Sequence, residues 1–203
     1  MTKQIILGVT GASGIPIATT LLVQLLASGC NVHLVFTSAG LITFKEEMEF
    51  SLSATPALCK QILLEKLQLV NGDKLHIYTN NDWFSPIASG SSIGNDMVIC
   101  PCSMSTLAKV ANGIADDLLT RAADVIIKER KNLIVVPRET PLSSIHLANL
   151  TKLAQIGVSI LPPVLTFYHQ PENVDDMILF IVIKILNQLK ISHNLPKFWG
   201  AKI

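Results

Sequence analysis

The sequence predicts one α/β domain in which a parallel sheet is covered by helices on both faces. Three observations predict it. Short apolar runs of strand length alternate with longer runs whose apolar residues recur at helical spacing. Glycine, hydroxyl and charged residues stand directly after several of the apolar runs. No linker, repeat or low-complexity stretch interrupts the 203 residues, so the economical reading is a single domain over residues 1–203. With 49% hydrophobic and 15% charged residues, a chain of this length buries a sizeable core, which excludes a disordered or fibrous protein.

The elements follow in order. Gln4 to Val9 reads as a strand ending at Thr10-Gly11-Ala12-Ser13-Gly14, and Ile15 to Ala27 as a helix stopped by Ser28-Gly29. Asn31 to Phe36 is a buried strand, and Thr37-Ser38 leads into a helix reaching about Phe50. A helix over Ala57 to Leu67 and a short strand over Leu75 to Tyr78 precede the polar loop Asn80-Asn81-Asp82 and the segment Ser89-Gly90-Ser91-Ser92. Met97 to Cys100 is a strand, Ser103 opens a helix, Asp117 to Arg130 forms another, and Leu133 to Val136 is the next strand. A helix near Ser143 to Gln155, a strand over Val158 to Leu161 and a helix over Asp175 to Leu189 complete the series.

A formal net charge of +1 gives no general attraction for a nucleic-acid backbone or an anionic membrane, so any phosphate must be held locally. The mean hydropathy of +0.46 is high, yet Met177 to Leu186, the most apolar stretch, is interrupted by Lys184 and is about half of a spanning length. The excess reads as core plus buried subunit interface. The amino-terminal segment has no signal-peptide pattern, and a cytoplasmic protein is expected. Cys30, Cys59, Cys100 and Cys102 form no paired C-x-x-C sites and are read as reduced packing residues, without structural zinc.

In open parallel sheets ligands bind beyond the carboxyl ends of the strands, which singles out Gly11 to Gly14, Ser38, Ser103 to Thr106, and Arg138-Glu139. The glycine turn places a helix N-terminus where amides and dipole favour an anion. Its spacing, Gly8, Gly11, Gly14, is G-x-x-G-x-x-G, not the dinucleotide fingerprint G-x-G-x-x-G. The second strand ends in Val35-Phe36-Thr37-Ser38 without the acid that holds an adenosine ribose; a serine there suits a phosphate or a ribityl chain.

Ser103, Ser105 and Thr106, with Met104 among them, bring more hydroxyls to a helix start than one cap needs. Arg121, Asp124 and Lys128 share one helix face, an arrangement that is ordinarily a solvated ion-pair face. Arg138 and Glu139, at the mouth of a very apolar strand, must be paired or used. His146 reads as a packed helix residue, and His76 is the one histidine considered as a catalytic base.

In order along the chain, Thr10-Gly11-Ala12-Ser13-Gly14, Asn81-Asp82-Trp83, Ser89-Gly90-Ser91-Ser92, Cys100-Pro101-Cys102-Ser103, Arg121-Ala122-Ala123-Asp124-Val125, Lys128-Glu129-Arg130, Pro137-Arg138-Glu139-Thr140-Pro141-Leu142 and Phe167-Tyr168-His169-Gln170-Pro171 resemble the UbiX-type flavin prenyltransferases. The likeness runs from about Ile5 to Trp199. It implies a single Rossmann-like or flavodoxin-like domain that binds reduced FMN and joins a dimethylallyl group from dimethylallyl phosphate to its N5 and C6. The product, prenylated FMN, would pass to a UbiD-type decarboxylase. A homo-oligomer, a dodecamer, is also implied.

By the same resemblance Gly11, Ala12, Ser13, Ser38, Ser103, Met104, Ser105, Thr106 and Arg138 would hold FMN, and Arg121, Lys128, Tyr168 and Lys184 the prenyl phosphate. Ser13, Glu47, Lys128, Glu139 and Trp199 would complete a metal-independent reaction site. The family usually has arginine where this chain has Lys184, which exchanges a bidentate clamp for a point charge. The alternatives are an FMN-dependent cysteine decarboxylase, which would need a base such as His76 and usually a cysteine-bearing flap, although no cysteine follows Cys102, and a non-enzymatic flavin carrier.

Overall fold

A computed structural model of the chain describes residues 2–90 and 96–196. Six strands form one sheet: β1 (Gln4–Val9), β2 (Asn31–Phe36), β3 (Leu75–Tyr78), β4 (Asp96–Cys102), β5 (Asn132–Pro137) and β6 (Ser159–Ile160). Every pairing is parallel and the order is β3-β2-β1-β4-β5-β6. The helices are α1 (Ile15–Ala27), α2 (Ser38–Glu47), α3 (Pro56–Lys66), α4 (Met104–Ala111), α5 (Leu118–Lys128), α6 (Ser144–Gln155) and α7 (Val174–Gln188). The order reverses between β1 and β4, and connections leave that point toward opposite sides, which opens a crevice at the carboxyl ends of these two strands.

Strand side chains alternate between two cores, as the pleat requires. Ile5, Leu7 and Val9 of β1 face a cluster with Leu21, Leu25, Phe44, Leu63, Val182 and Leu186, while Ile6 faces one with Leu107, Leu119, Ala122, Ile126 and Leu153. Sequence periodicity thus becomes two covered faces. Each fully buried Leu or Ile contributes about 1.5–3 kcal/mol through removal from water.

Among the boundaries that differ from expectation, three have a visible cause or consequence. α2 stops at Glu47, short of Phe50, because Met48 turns extended and the Phe50 ring packs edge-on to Phe44 at 5.3 Å. β4 extends to Cys102, and its register with β5 shifts between Ile99 and Cys102, around Pro101, which has no N–H for the ladder. β6 shrinks to Ser159–Ile160, although Leu161 N still donates to Val135 O at 2.9 Å. The Cys100–Pro101 and Thr140–Pro141 peptide bonds are cis.

Candidate functional site

The ends of β1 and β4 are tied by Thr10. Its hydroxyl donates to Pro101 O at 2.8 Å and accepts from Ser103 N at 2.7 Å, and its own N–H donates to Pro101 O at 3.2 Å. The β5 end joins the same edge through Arg138 N, which donates to Cys102 O at 3.3 Å. The β2 end joins through a close approach: a Cβ on Gly11 would lie 2.4 Å from the Ala39 methyl, so only glycine lets the turn meet the start of α2. The Gly11 turn, Ser38, Ser103 and Arg138 are therefore brought together.

Within the turn, the Ala12 methyl is buried and its N–H donates to Thr10 O at 2.9 Å, leaving exposed Ser13 as the outward group. Gly14 has φ +123°, which side-chain-bearing residues rarely adopt. The expected anion site at the start of α1 is taken by the chain itself. Glu47 Oε2 accepts from Gly14 N at 2.9 Å and from Ile15 N at 2.8 Å. Two acceptor bonds to one carboxylate satisfy the first amides of α1 and leave negative charge at that terminus, which repels a second anion.

The α4 terminus is arranged differently. Ser103 Oγ accepts from Thr106 N at 3.2 Å and pairs with Thr106 Oγ1 at 3.0 Å, so two of the hydroxyls expected to face a ligand are spent on each other. The Met104 side chain is buried as well, and Ser105 is the exposed side chain of the group. At α2 the Thr37 hydroxyl caps Gly40 N at 3.0 Å, which frees exposed Ser38 from that duty. A cavity of about 220 Å³ opens beside Ser38, lined also by Phe36, Tyr78, Asn80 and buried Cys59. Arg138 and Glu139 are exposed at the end of β5, with Glu139 Oε1 accepting from Thr140 N at 3.1 Å.

Tyr168 follows β6 and packs edge-on to Phe180 of α7 at 5.8 Å, and Lys184 Nζ lies 5.2 Å from the centre of the same ring. Two of the four expected phosphate ligands thus flank one phenylalanine. Arg121 is engaged, with its guanidinium on Asp124 at 2.8 Å and on Ala88 O at 3.2 Å.

Lys128 departs from expectation. α5 starts beside Asn80, just past β3, where Leu118 N donates to Asn80 O, and ends where β5 begins. Lys128 therefore lies at the opposite edge of the sheet from Arg138, about 17 Å of strand away, paired with Glu129. One chain does not bring Lys128 to the crevice. Trp199, Ser91 and Ser92 lie outside the described residues.

Burial pushes the Cys102 thiol up to about 12 and raises Cys100 further, the nearby Cys102 adding to it, so neither strand-end cysteine is a ready nucleophile. All four cysteines are buried and unbridged, as packing residues are. His76 is not at the crevice: it stacks on His33 at 5.0 Å within β3, the edge strand two places from β1. Thr10 was absent from the expected site residues; a threonine before a glycine turn carries no local sign of a partner 91 residues away.

The donor set fits FMN. Hydroxyls at Ser38 and Ser105, first-turn amides of α4 and the Arg138 guanidinium suit a phosphate and ribityl chain, and Phe36-Thr37-Ser38 offers no ribose acid. A parallel sheet with this order and these donors at its reversal point is a nucleotide-binding α/β protein of the mononucleotide kind. The chain belongs to the flavoprotein family, whose pattern matches residues 1–186. It is 43% identical over 200 residues to the flavin prenyltransferase UbiX of Pseudomonas aeruginosa, covering 98% of this chain and 95% of that protein. Among solved structures it is similar to a dodecameric FMN-dependent UbiX-like decarboxylase from Escherichia coli O157:H7 (35% identity, TM-score 0.85, covering 97% and 99% of the two chains). It is also similar to AnUbiX (PadA1) in complex with FMN and dimethylallyl pyrophosphate (31% identity, TM-score 0.83, 97% and 99% covered).

Proposed function

We propose that this protein is a flavin prenyltransferase that joins a dimethylallyl group from dimethylallyl phosphate to N5 and C6 of reduced FMN. The observation that carries the reading is the gathering, at one sheet edge, of the α4 terminus, Ser38, Arg138 and Glu139 around the β1–β4 reversal. Because Glu47 already fills the α1 terminus, the FMN phosphate is assigned to α4, with Ser105, Ser38 and Arg138 as its hydrogen-bond donors. Bound reduced FMN supplies the nucleophilic atoms.

The chain supplies the rest. Breaking the allylic C–O bond of the donor places negative charge on the departing phosphate, which Lys184 and the Tyr168 hydroxyl stabilise and to which Glu139 passes a proton. The family resemblance assigns Trp199 the role of stabilising the positive prenyl carbon by cation–π attraction. Lys128 joins such a site only from a neighbouring copy, since its own chain holds it at the far edge.

A single chain leaves Phe84 fully exposed, Ile145 71% exposed and Val174 70% exposed, apolar side chains suited to burial between copies. We infer a homo-oligomer of the dodecameric kind and a place in the cytoplasm. No described helix is long and apolar enough to cross a membrane. The product would serve a UbiD-type decarboxylase.

Anaerobic incubation with reduced FMN and either dimethylallyl phosphate or the diphosphate, read by mass spectrometry, tests the activity. A flavin heavier by one dimethylallyl unit is expected. Unchanged FMN with both donors overturns it, pointing to a carrier if FMN binds tightly, or to a cysteine decarboxylase if a peptide with a carboxyl-terminal cysteine loses carbon dioxide.

A further inference from the structure

We propose that Thr10 is a positioning residue for the FMN site: its buried hydroxyl reinforces the last backbone bond of the β1–β4 reversal, from Thr10 N to Pro101 O, and sets where α4 begins. The inference rests on the reading of this edge as the FMN site.

The β1–β4 register ends at Gly8 and Ile99, short of the crevice. Beyond it Pro101 has no N–H to offer, and the β4 ladder to β5 is itself irregular there. Thr10 is fully buried, 0% exposed, and beside the 3.2 Å bond from its own N–H to Pro101 O it uses one hydroxyl in both senses. Its O–H donates to Pro101 O at 2.8 Å and its oxygen accepts from Ser103 N at 2.7 Å, joining residues 91 and 93 positions apart.

Ser103 is the cap of α4, so the bond to its N–H fixes the backbone from which the first turn departs. Ser105 and the first-turn amides take their direction from that anchor. Without the hydroxyl, the part-buried Ser103 N–H loses its partner and the Pro101 carbonyl keeps only the bond from Thr10 N, while the ligand donors lose their register. The Thr10 side chain does not itself face the ligand; it acts through Ser103.

Thr10→Val keeps the shape and removes both side-chain bonds. Thr10→Ser keeps the bonds and removes a buried methyl. The probe is FMN itself, titrated into each protein by flavin fluorescence, with thermal unfolding of the FMN-free proteins measured alongside. Thr10→Val is expected to weaken FMN at least about ten-fold, a change of ~1.4 kcal/mol. Thr10→Ser is expected to melt lower than the unsubstituted protein yet to bind FMN within about two-fold of it, a difference of ~0.4 kcal/mol.

A merely structural threonine gives the opposite pattern, with affinity following stability. Thr10→Val that binds FMN like the unsubstituted protein overturns the proposal. So does Thr10→Ser that loses about ten-fold (~1.4 kcal/mol), and this second arm decides the matter if the valine variant fails to fold. Failure of the unsubstituted protein to bind FMN overturns the reading of the edge itself and is scored before either variant.

Discussion

Glu47 Oε2 accepts hydrogen bonds from Gly14 N and Ile15 N, so the end of α2 closes the start of α1. A residue 33 positions away does what a serine or aspartate cap usually does, because Gly14 has no side chain to do it. The carboxylate also decides which of two neighbouring helix termini remains open to an anion.

Glu47→Ala should lower thermal stability. Loss of a helix cap costs about 0.5–2 kcal/mol, and in a chain of this size each kcal/mol moves the midpoint by roughly 2–4 °C. The opened terminus should then gain stabilisation from added sulfate beyond that of the unsubstituted protein, the α4 terminus being open in both. Calorimetry with and without sulfate checks both; equal sulfate response in the two proteins would show that the carboxylate does not occupy the terminus.

Glu139→Gln should retain FMN affinity while slowing prenylation by about 10²-fold or more, since shape and hydrogen bonding persist and the exchangeable proton is lost. Glu139 is exposed at the end of β5, so the fold should tolerate the change. Turnover and FMN titration on the same preparation separate the two effects.

Lys128→Met and Glu139→Gln, each strongly impaired alone, should recover activity when co-expressed. The reason is the sheet length between residue 128 and residue 138: a complete site draws them from different copies. Mixed oligomers with no more activity than either parent would mean that Lys128 serves no neighbouring site.

Lys184→Met keeps the apolar stem over Phe180 but removes the charge. Its Michaelis constant for dimethylallyl phosphate should rise, since a charge-assisted hydrogen bond is worth about 1.5–3 kcal/mol, or roughly ten- to a hundred-fold. Lys184→Arg should match or improve on the unsubstituted protein, because a guanidinium can bond a phosphate through two parallel N–H groups. Steady-state kinetics with each substrate varied in turn checks this.

His33 should make the fold acid-sensitive. Gln4 Oε1 at 2.9 Å accepts from Nε2–H, so Nδ1, 3.0 Å from the Tyr78 hydroxyl, accepts, and the ring is held neutral. Burial, with a smaller contribution from nearby His76, lowers its pKa from 6.5 to about 4. The unfolded chain therefore takes up this proton first as pH falls. Its contribution is intact above about pH 6.5 and is lost toward pH 4, with about 2 kcal/mol gone between pH 7 and 5. Urea unfolding at the two pH values, with His33→Gln as the non-titrating comparison, measures it.

The sequence located Ser38, Ser105, Arg138 and Glu139 correctly at strand ends, because a residue that follows a buried apolar run leaves the sheet at its edge whatever the strand order. It overcounted the hydroxyls at α4, since spacing does not show that Ser103 and Thr106 bond to each other. It placed Lys128 with the site by motif, although helical direction carries that residue away from the crevice.

Alternation of apolar periods by itself determined an α/β parallel sheet, its element order and the absence of a ribose acid after β2, since these are local properties of side-chain pattern. Tertiary structure alone decided that β1 lies beside β4, that Glu47 closes α1, that Thr10 holds Ser103 and that Lys128 faces elsewhere. Those contacts join residues from 32 to 93 positions apart, and their existence depends on strand order and helix direction, which are set by packing of the whole chain rather than by any local run of residues.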